Sequence, residues 1–189
     1  MVIEILKDYP FLLALIGSLV IELSAILVRR AAQVLGGWLW ILAGVLSTAG
    51  IVTLLWSFLW ANTIEPLVYP HDSLINIIIG PFLILSGIVI LVRSVLILGR
   101  QAFLPWPRTH LVVHAPYHAR RRPMMVGMAM LAIGVSITTM QIQGWIWFGV
   151  WFLLAQPLAE LEEWELRSRL PAAADYLART PRYFKFPGL

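Results

Sequence analysis

The chain has 189 residues, of which 60% are hydrophobic and only 13% charged, with a formal net charge of +4 and no cysteine. A water-soluble domain of this size needs more charge to cover its surface, so the medium is lipid. Disulfides and thiolate catalysis are excluded, and the excess positive charge lies beside apolar runs, where it orients a membrane chain and gives no nucleic-acid signal.

The first apolar run follows Glu4, Lys7 and Asp8. It lacks a basic leading segment and a small-residue cleavage site, and so reads as a retained helix and not as a signal peptide. This predicted span runs roughly from Pro10 to Val28 and stops at Arg29-Arg30, close to the ~20 residues a bilayer requires. It contains one anomaly, Glu22, which is costly if ionised and lipid-facing. Facing the bundle, pairing with Asn76, protonation or lining a substrate tunnel would each relieve that cost.

The second predicted span runs from Val34 to Trp60. Its Gly36-Gly37, Gly44 and Gly50 permit close helix approach, and Trp38, Trp40, Trp56 and Trp60 sit near its ends as interface anchors do. After a loop with Glu65, His71 and Asp72, a third span runs from Leu74 to Leu98, with Pro81 expected to weaken it locally. From Arg100 to Pro123 the chain turns polar, and Pro105, Pro107 and Pro116 argue against a continuous helix. Met124 to Ala159 is uncharged. It is too long for one ordinary span and has a polar middle from Thr138 to Gly144, so it reads as a helical hairpin with a tight turn. The tail, Glu160 to Leu189, starts as a charged helix and ends in proline- and aromatic-rich coil.

The predicted fold is therefore all-α: one polytopic membrane domain over residues 1–189, with about five transmembrane helices, a C-terminal hairpin and a cytoplasmic tail. With five spans, Arg29-Arg30, the 100–122 loop and the tail share one side, and Lys7, Glu65 and Asp72 the other. The excess of Lys and Arg places the N-terminus outside and the C-terminus inside, in the cytoplasmic (inner) membrane.

A hairpin that returns to its own face brings its two ends together. Tyr117-His118-Ala119-Arg120-Arg121-Arg122-Pro123 should then meet Glu160-Leu161-Glu162-Glu163-Trp164-Glu165. Opposite charges beside a low-dielectric boundary attract strongly. The pair of segments makes either a structural clasp or a pocket for a zwitterionic ligand, with Arg for a carboxylate and Glu for an ammonium or ribose hydroxyls. Three further readings attach to the same region. His110, His114 and His118 recur every four residues, as metal ligands on a helix would, but Pro116 interrupts any such helix and no metal is expected. Arg120–Arg122 suits anionic headgroups. Met124, Met125, Met128 and Met130 are packing residues.

The stretch from Thr109 to Gly127 resembles the membrane-embedded methyltransferases, which include isoprenylcysteine carboxyl methyltransferases and bacterial phospholipid methyltransferases. Their pattern is L-V-x-x-G-P-Y-x-x-x-R-H-P-x-Y-x-G, an apolar hairpin, then E-E-x-x-L, a short helix and a P-R-F-like end. Here Glu162-Glu163-Trp164-Glu165-Leu166 fits the second block and Pro181-Arg182-Tyr183 the end, so the match covers roughly the last 80–90 residues. Residues 1–100 carry no specific resemblance, and 101–189 form the methyltransferase-like region.

The resemblance implies S-adenosylmethionine bound at the cytosolic face and a lipidic or small apolar acceptor entering from the bilayer. By it, Leu111, Val112, Tyr117, Arg121 and Pro123 line the cofactor site and Glu162 contacts the cofactor, with Arg121 and Glu162 the catalytic pair and Arg182 an acceptor contact. Arg122 can still reach the cofactor carboxylate, and Glu22, from its place in the first span rather than from the resemblance, is the second candidate acceptor contact. No metal and no covalent nucleophile are implied. The chain departs from the pattern at Arg122, where the family has His, at Met125, where it has Tyr, and at Ala115, where it has Gly. The family's substrate-binding Arg falls at Leu158, which makes an isoprenylcysteine carboxylate a poor acceptor. The alternative is a non-catalytic membrane scaffold or lipid-binding protein that keeps the fold. A nicotinamide-dependent membrane reductase with a similar hairpin is a weaker third reading that no residue here favours.

Overall fold

The computed structural model describes residues 10–63, 75–98 and 115–183. Among them are six α-helices: α1 Pro10–Leu35, α2 Leu39–Ala61, α3 Gly80–Leu98, α4 Pro123–Thr139, α5 Ile142–Arg169 and α6 Pro171–Arg179, with one π-helical turn, Ile75–Ile79, leading into α3. Helices α1, α2 and α5, and the continuous segment Asn76–Leu98, are long and apolar enough to cross a membrane; α4 is apolar but shorter, at 17 residues. The all-helical, polytopic reading holds, with α4 as the short fifth member.

Helix α1 does not end at Arg29-Arg30. It continues to Leu35, and the chain turns at Gly36 and Gly37, whose φ values are 65° and 64°. The basic pair marks a change of surroundings, while arginine itself is a good helix former. The helix stops where two residues without Cβ adopt the left-handed conformation. Gly36-Gly37 therefore form the α1–α2 turn and lie outside the second span, which begins at Leu39. Pro81 acts as expected: it has no N–H to donate one turn back, and the irregular π-turn stands immediately before it.

Helices α3 and α4 cross through glycine. A Cβ on Gly87 would lie 2.6 Å from the Gly127 carbonyl oxygen, and one on Gly134 would lie 2.8 Å from the Gly80 carbonyl oxygen. The pairs Gly80/Gly134 and Gly87/Gly127 are each seven residues apart on their helices, so one small-residue stripe runs the length of the antiparallel contact. The α4–α5 turn is Met140-Gln141, with Met140 left-handed at φ 55°. Beside it Asn76, a suggested partner of Glu22, instead places its Nδ2 2.8 Å from the Met140 sulfur. Glu22 lies midway along α1 against Gly50 and pairs with Ser47, whereas Asn76 sits beside the α4–α5 turn, so the two do not pair.

Aromatic packing joins the two helix pairs. Trp147 of α5 is fully buried, stacks on Trp151 at 5.7 Å, meets Phe58 of α2 at 4.9 Å and donates its indole N–H to Ser57 at 2.9 Å. Phe11 and Leu15 of α1 and Met128 and Ala132 of α4 complete this core. A Trp buried this far needs both its area and a partner for its N–H, and Ser57 supplies the second.

At one end of the bundle Arg30 stacks over Trp164 at 4.5 Å and Gln33 donates to Glu165 at 3.1 Å. The C-terminal end of α1 thus lies beside the C-terminal part of α5. The charged helix expected to start the tail is the continuation of α5 itself, unbroken from Ile142 to Arg169.

Candidate functional site

The hairpin delivers the two charged blocks to each other. Arg122 is the N-cap residue of α4 and Pro123 opens the helix, a position where its missing N–H costs nothing. Backbone N–H groups of Arg121 and Arg122 donate to the carbonyls of Pro181 and Arg182 at 2.9 and 3.3 Å, which ties the C-terminal segment under the block. The Tyr176 hydroxyl donates to the Tyr117 carbonyl at 2.6 Å.

Glu163 is the centre of the ion cluster. Its side chain is 6% exposed, and it accepts from Arg121 Nη1 at 2.8 Å, from Arg122 Nε at 3.4 Å, and from Arg182 Nε and Nη2 at 3.0 and 3.1 Å. A carboxylate this buried is tolerated only when its charge and lone pairs are met. The Arg182 fork meets both oxygens at once. That hydrogen bond, with the Glu163 charge, holds the Arg182 guanidinium above its ordinary range. Arg182 also reaches the exposed Glu160 at 3.5 Å.

Glu162, one position earlier, is 41% exposed and accepts from Arg122 Nη1 at 2.9 Å. Arg122 further donates to the Ala159 carbonyl, and Arg121 Nε to the Thr180 carbonyl. Glu163 therefore serves the clasp, and Glu162 presents its carboxylate to open space.

That space is a cavity of about 320 Å³ bounded by α1, α2, the start of α4, the middle of α5, and α6. It falls at the low end of the ~300–1,000 Å³ typical of small-molecule sites. Its polar end is formed by Tyr117, Arg121, Arg122, Glu162 and the more enclosed Glu163; its apolar walls include Ile26, Leu54, Met125 and Trp151. On the α1 side lies Glu22, which accepts from Ser47 of α2 at 3.2 Å. Gly50 makes room for it: a Cβ there would lie 2.6 Å from Glu22 Oε1. The anomalous carboxylate of the first span thus faces inward, between two helices.

Of the residues singled out in the sequence, Tyr117, Arg121, Arg122, Pro123, Glu162 and Glu22 come together around this one cavity, as do Met125 and Leu158. Arg182 stands behind Glu163, outside the lining. Leu111 and Val112 lie outside the described residues, as do His110 and His114, while His118 is exposed. Among the described residues no three His, Asp or Glu side chains gather closely enough for a metal.

Sequence reasoning missed Glu163 as the hub, and Ser47, Arg29 and Tyr176 as lining residues. A signal for Arg29 existed: Leu19, Glu22, Ile26 and Arg29 follow the three-and-four spacing of one helix face, and all four line the cavity.

The described residues form a helical bundle with four helices apolar enough to cross a membrane and a mixed polar and apolar cavity beside a hairpin whose two ends are ion-paired. The model of the phospholipid methyltransferase family matches residues 75–170, just over half of the chain. The chain belongs to that family, and its kind of function is that of a membrane methyltransferase. The matched residues contain α3, α4 and α5 whole; α1, α2 and α6 lie outside them. No curated protein and no solved structure matches the chain.

Proposed function

We propose that the cavity binds S-adenosylmethionine at its polar end and a lipidic or small apolar acceptor on the α1–α2 side. The observation that carries this reading is the placement of Glu162 and Arg122 at one cavity mouth, in the chemical set a zwitterionic, cationic cofactor requires. Residues of both signs are present, and Glu162 is open enough to exchange its partner. The residues therefore fit the group.

Arg121, Arg122 and Tyr117 would hold and orient the cofactor, with Glu162 facing its positive charge or its ribose hydroxyls, and Pro123 and Met125 packing against it. When bound, the cofactor supplies an activated methyl group, so the protein needs no metal and no nucleophile of its own. Its contribution is to align donor and acceptor and to exclude water. Trp151, Leu54 and Ile26 make the dry wall that this demands. Methylation of an acceptor atom that carries a proton also requires that the proton leave. In this reading the Glu22 carboxylate, which accepts from Ser47 on Oε2, would receive it on Oε1. Arg182 supports the site through Glu163.

The gathering of Arg29, Arg30, Arg121, Arg122 and Arg182 at one end of the bundle supports an inner-membrane orientation with that end in the cytoplasm, N-terminus out and C-terminus in. The direct test supplies labelled S-adenosylmethionine to membranes that contain the protein and a total lipid extract. The reading expects label in the organic phase, lost in Glu162→Ala; unlabelled lipid with folded, cofactor-binding protein would move the acceptor out of the lipid class.

A further inference from the structure

Three guanidiniums at the polar end, Arg121, Arg122 and Arg182, are ion-paired with Glu160, Glu162 and Glu163. Arg29 differs from them. It lines the same cavity from α1, and its Nε is buried without a hydrogen-bond partner among the described residues. Glu22 lies on the same helix face and lines the same cavity. Seven residues of helix separate the two by about 10 Å of rise, and the hydrogen bond to Glu22 comes from Ser47. Among the described residues, Arg29 is therefore the cavity-lining guanidinium that shows no carboxylate ion pair and keeps a buried donor, Nε, without a partner.

We infer that Arg29 is an anion-binding residue of the cavity, holding a carboxylate or phosphate oxygen of a bound ligand. A guanidinium is the side chain suited to this, because its planar donors match two oxygens of one oxyanion. The inference rests on the cavity being the ligand site proposed above, but adds a contact from α1, outside the family-matched residues. The competing explanation is that Arg29 serves only as a positive marker of membrane orientation, like its neighbour Arg30. The two differ in surroundings: Arg30 stacks on Trp164 and does not line the cavity.

Two sources supply such an oxyanion, the amino-acid carboxylate of the cofactor and the phosphate of a lipid headgroup. The experiment uses purified wild type, Arg29→Gln, Arg29→Lys and Arg30→Gln. Calorimetry measures S-adenosylhomocysteine against methylthioadenosine, which lacks the carboxylate. Native mass spectrometry measures phosphatidylglycerol against diacylglycerol, which lacks the phosphate. The inference expects Arg29→Gln to weaken one of the two anionic probes by about tenfold or more, as loss of a charge-assisted contact does. Its uncharged counterpart should be unchanged, Arg29→Lys intermediate and Arg30→Gln like wild type. Loss confined to S-adenosylhomocysteine assigns the carboxylate, and loss confined to phosphatidylglycerol assigns the phosphate. Wild-type affinity of Arg29→Gln for both anionic probes overturns the inference, and so does an equal loss in Arg30→Gln. If wild type itself fails to bind S-adenosylhomocysteine, the cofactor reading fails, while the lipid arm still decides on Arg29. Should Arg29→Gln not fold, Arg29→Lys carries the test: its loss of the two-pronged contact must weaken the anionic probe selectively.

Discussion

Arg122 Nη1 lies 2.9 Å from Glu162 Oε2, joining a residue just before the final hairpin to one forty positions later. The contact exists because α4 and α5 are antiparallel across the Met140-Gln141 turn, so the start of one returns to the end of the other. Two adjacent glutamates that both line the cavity differ in surroundings: Glu163 is 6% exposed and enclosed by three guanidiniums, and Glu162 is 41% exposed and bonded to Arg122.

From that difference, Glu162→Ala should weaken S-adenosylmethionine binding by about tenfold or more. It should leave the melting temperature in detergent within a few degrees of wild type, since Arg122 keeps its contacts to Glu163 and the Ala159 carbonyl. Unchanged affinity in that variant would remove Glu162 from the site.

Glu163→Ala should behave in the opposite way. Removing the carboxylate leaves Arg121, Arg122 and Arg182 without their shared partner in a nearly enclosed position, a change that costs about 3–5 kcal/mol. The expected readout is a large fall in thermal stability and release of the 180–183 segment to proteolysis. A variant as stable as wild type would show that the backbone bonds to Pro181 and Arg182 hold the clasp unaided.

Much of this was legible in the sequence, for identifiable reasons. The hairpin followed from the length of the uncharged run and its polar middle, and the meeting of the arginine and glutamate blocks followed from the hairpin. Division of labour between Glu162 and Glu163 was not legible, because adjacent helix positions point about 100° apart and only tertiary packing says which one is enclosed. The end of α1 differs from the expected stop at Arg29-Arg30 because charge ends an apolar run without ending a helix, and Gly36-Gly37 supply the stop. In the sequence Arg29 beside Arg30 carries only an orientation signal, and its membership of the Leu19–Glu22–Ile26 face gains meaning once that face lines a cavity.

Glu22→Gln is expected to leave S-adenosylhomocysteine affinity unchanged and to lower turnover by about one hundredfold, the usual worth of a positioned proton acceptor. Initial rates measured at saturating cofactor test this. Gly50→Ala should reproduce part of the loss, since its Cβ would intrude on Glu22 Oε1. An unimpaired Glu22→Gln enzyme would place proton release elsewhere.

At the α3–α4 crossing, Gly87→Ala should destabilise the fold by roughly 1–3 kcal/mol, because the added carbon meets the backbone of Gly127 and Leu131, which cannot turn aside. Gly17→Ala, where a Cβ meets nothing within 4 Å, is the matched control and should not destabilise. Thermal unfolding in detergent compares the two directly.

The most direct test of the account is calorimetric titration of the detergent-purified, folded protein with S-adenosylmethionine and, in parallel, S-adenosylhomocysteine. The account predicts saturable micromolar binding of both, weakened about tenfold or more by Glu162→Ala. Absence of binding by folded protein would contradict it and leave a membrane scaffold that retains the family fold without the cofactor.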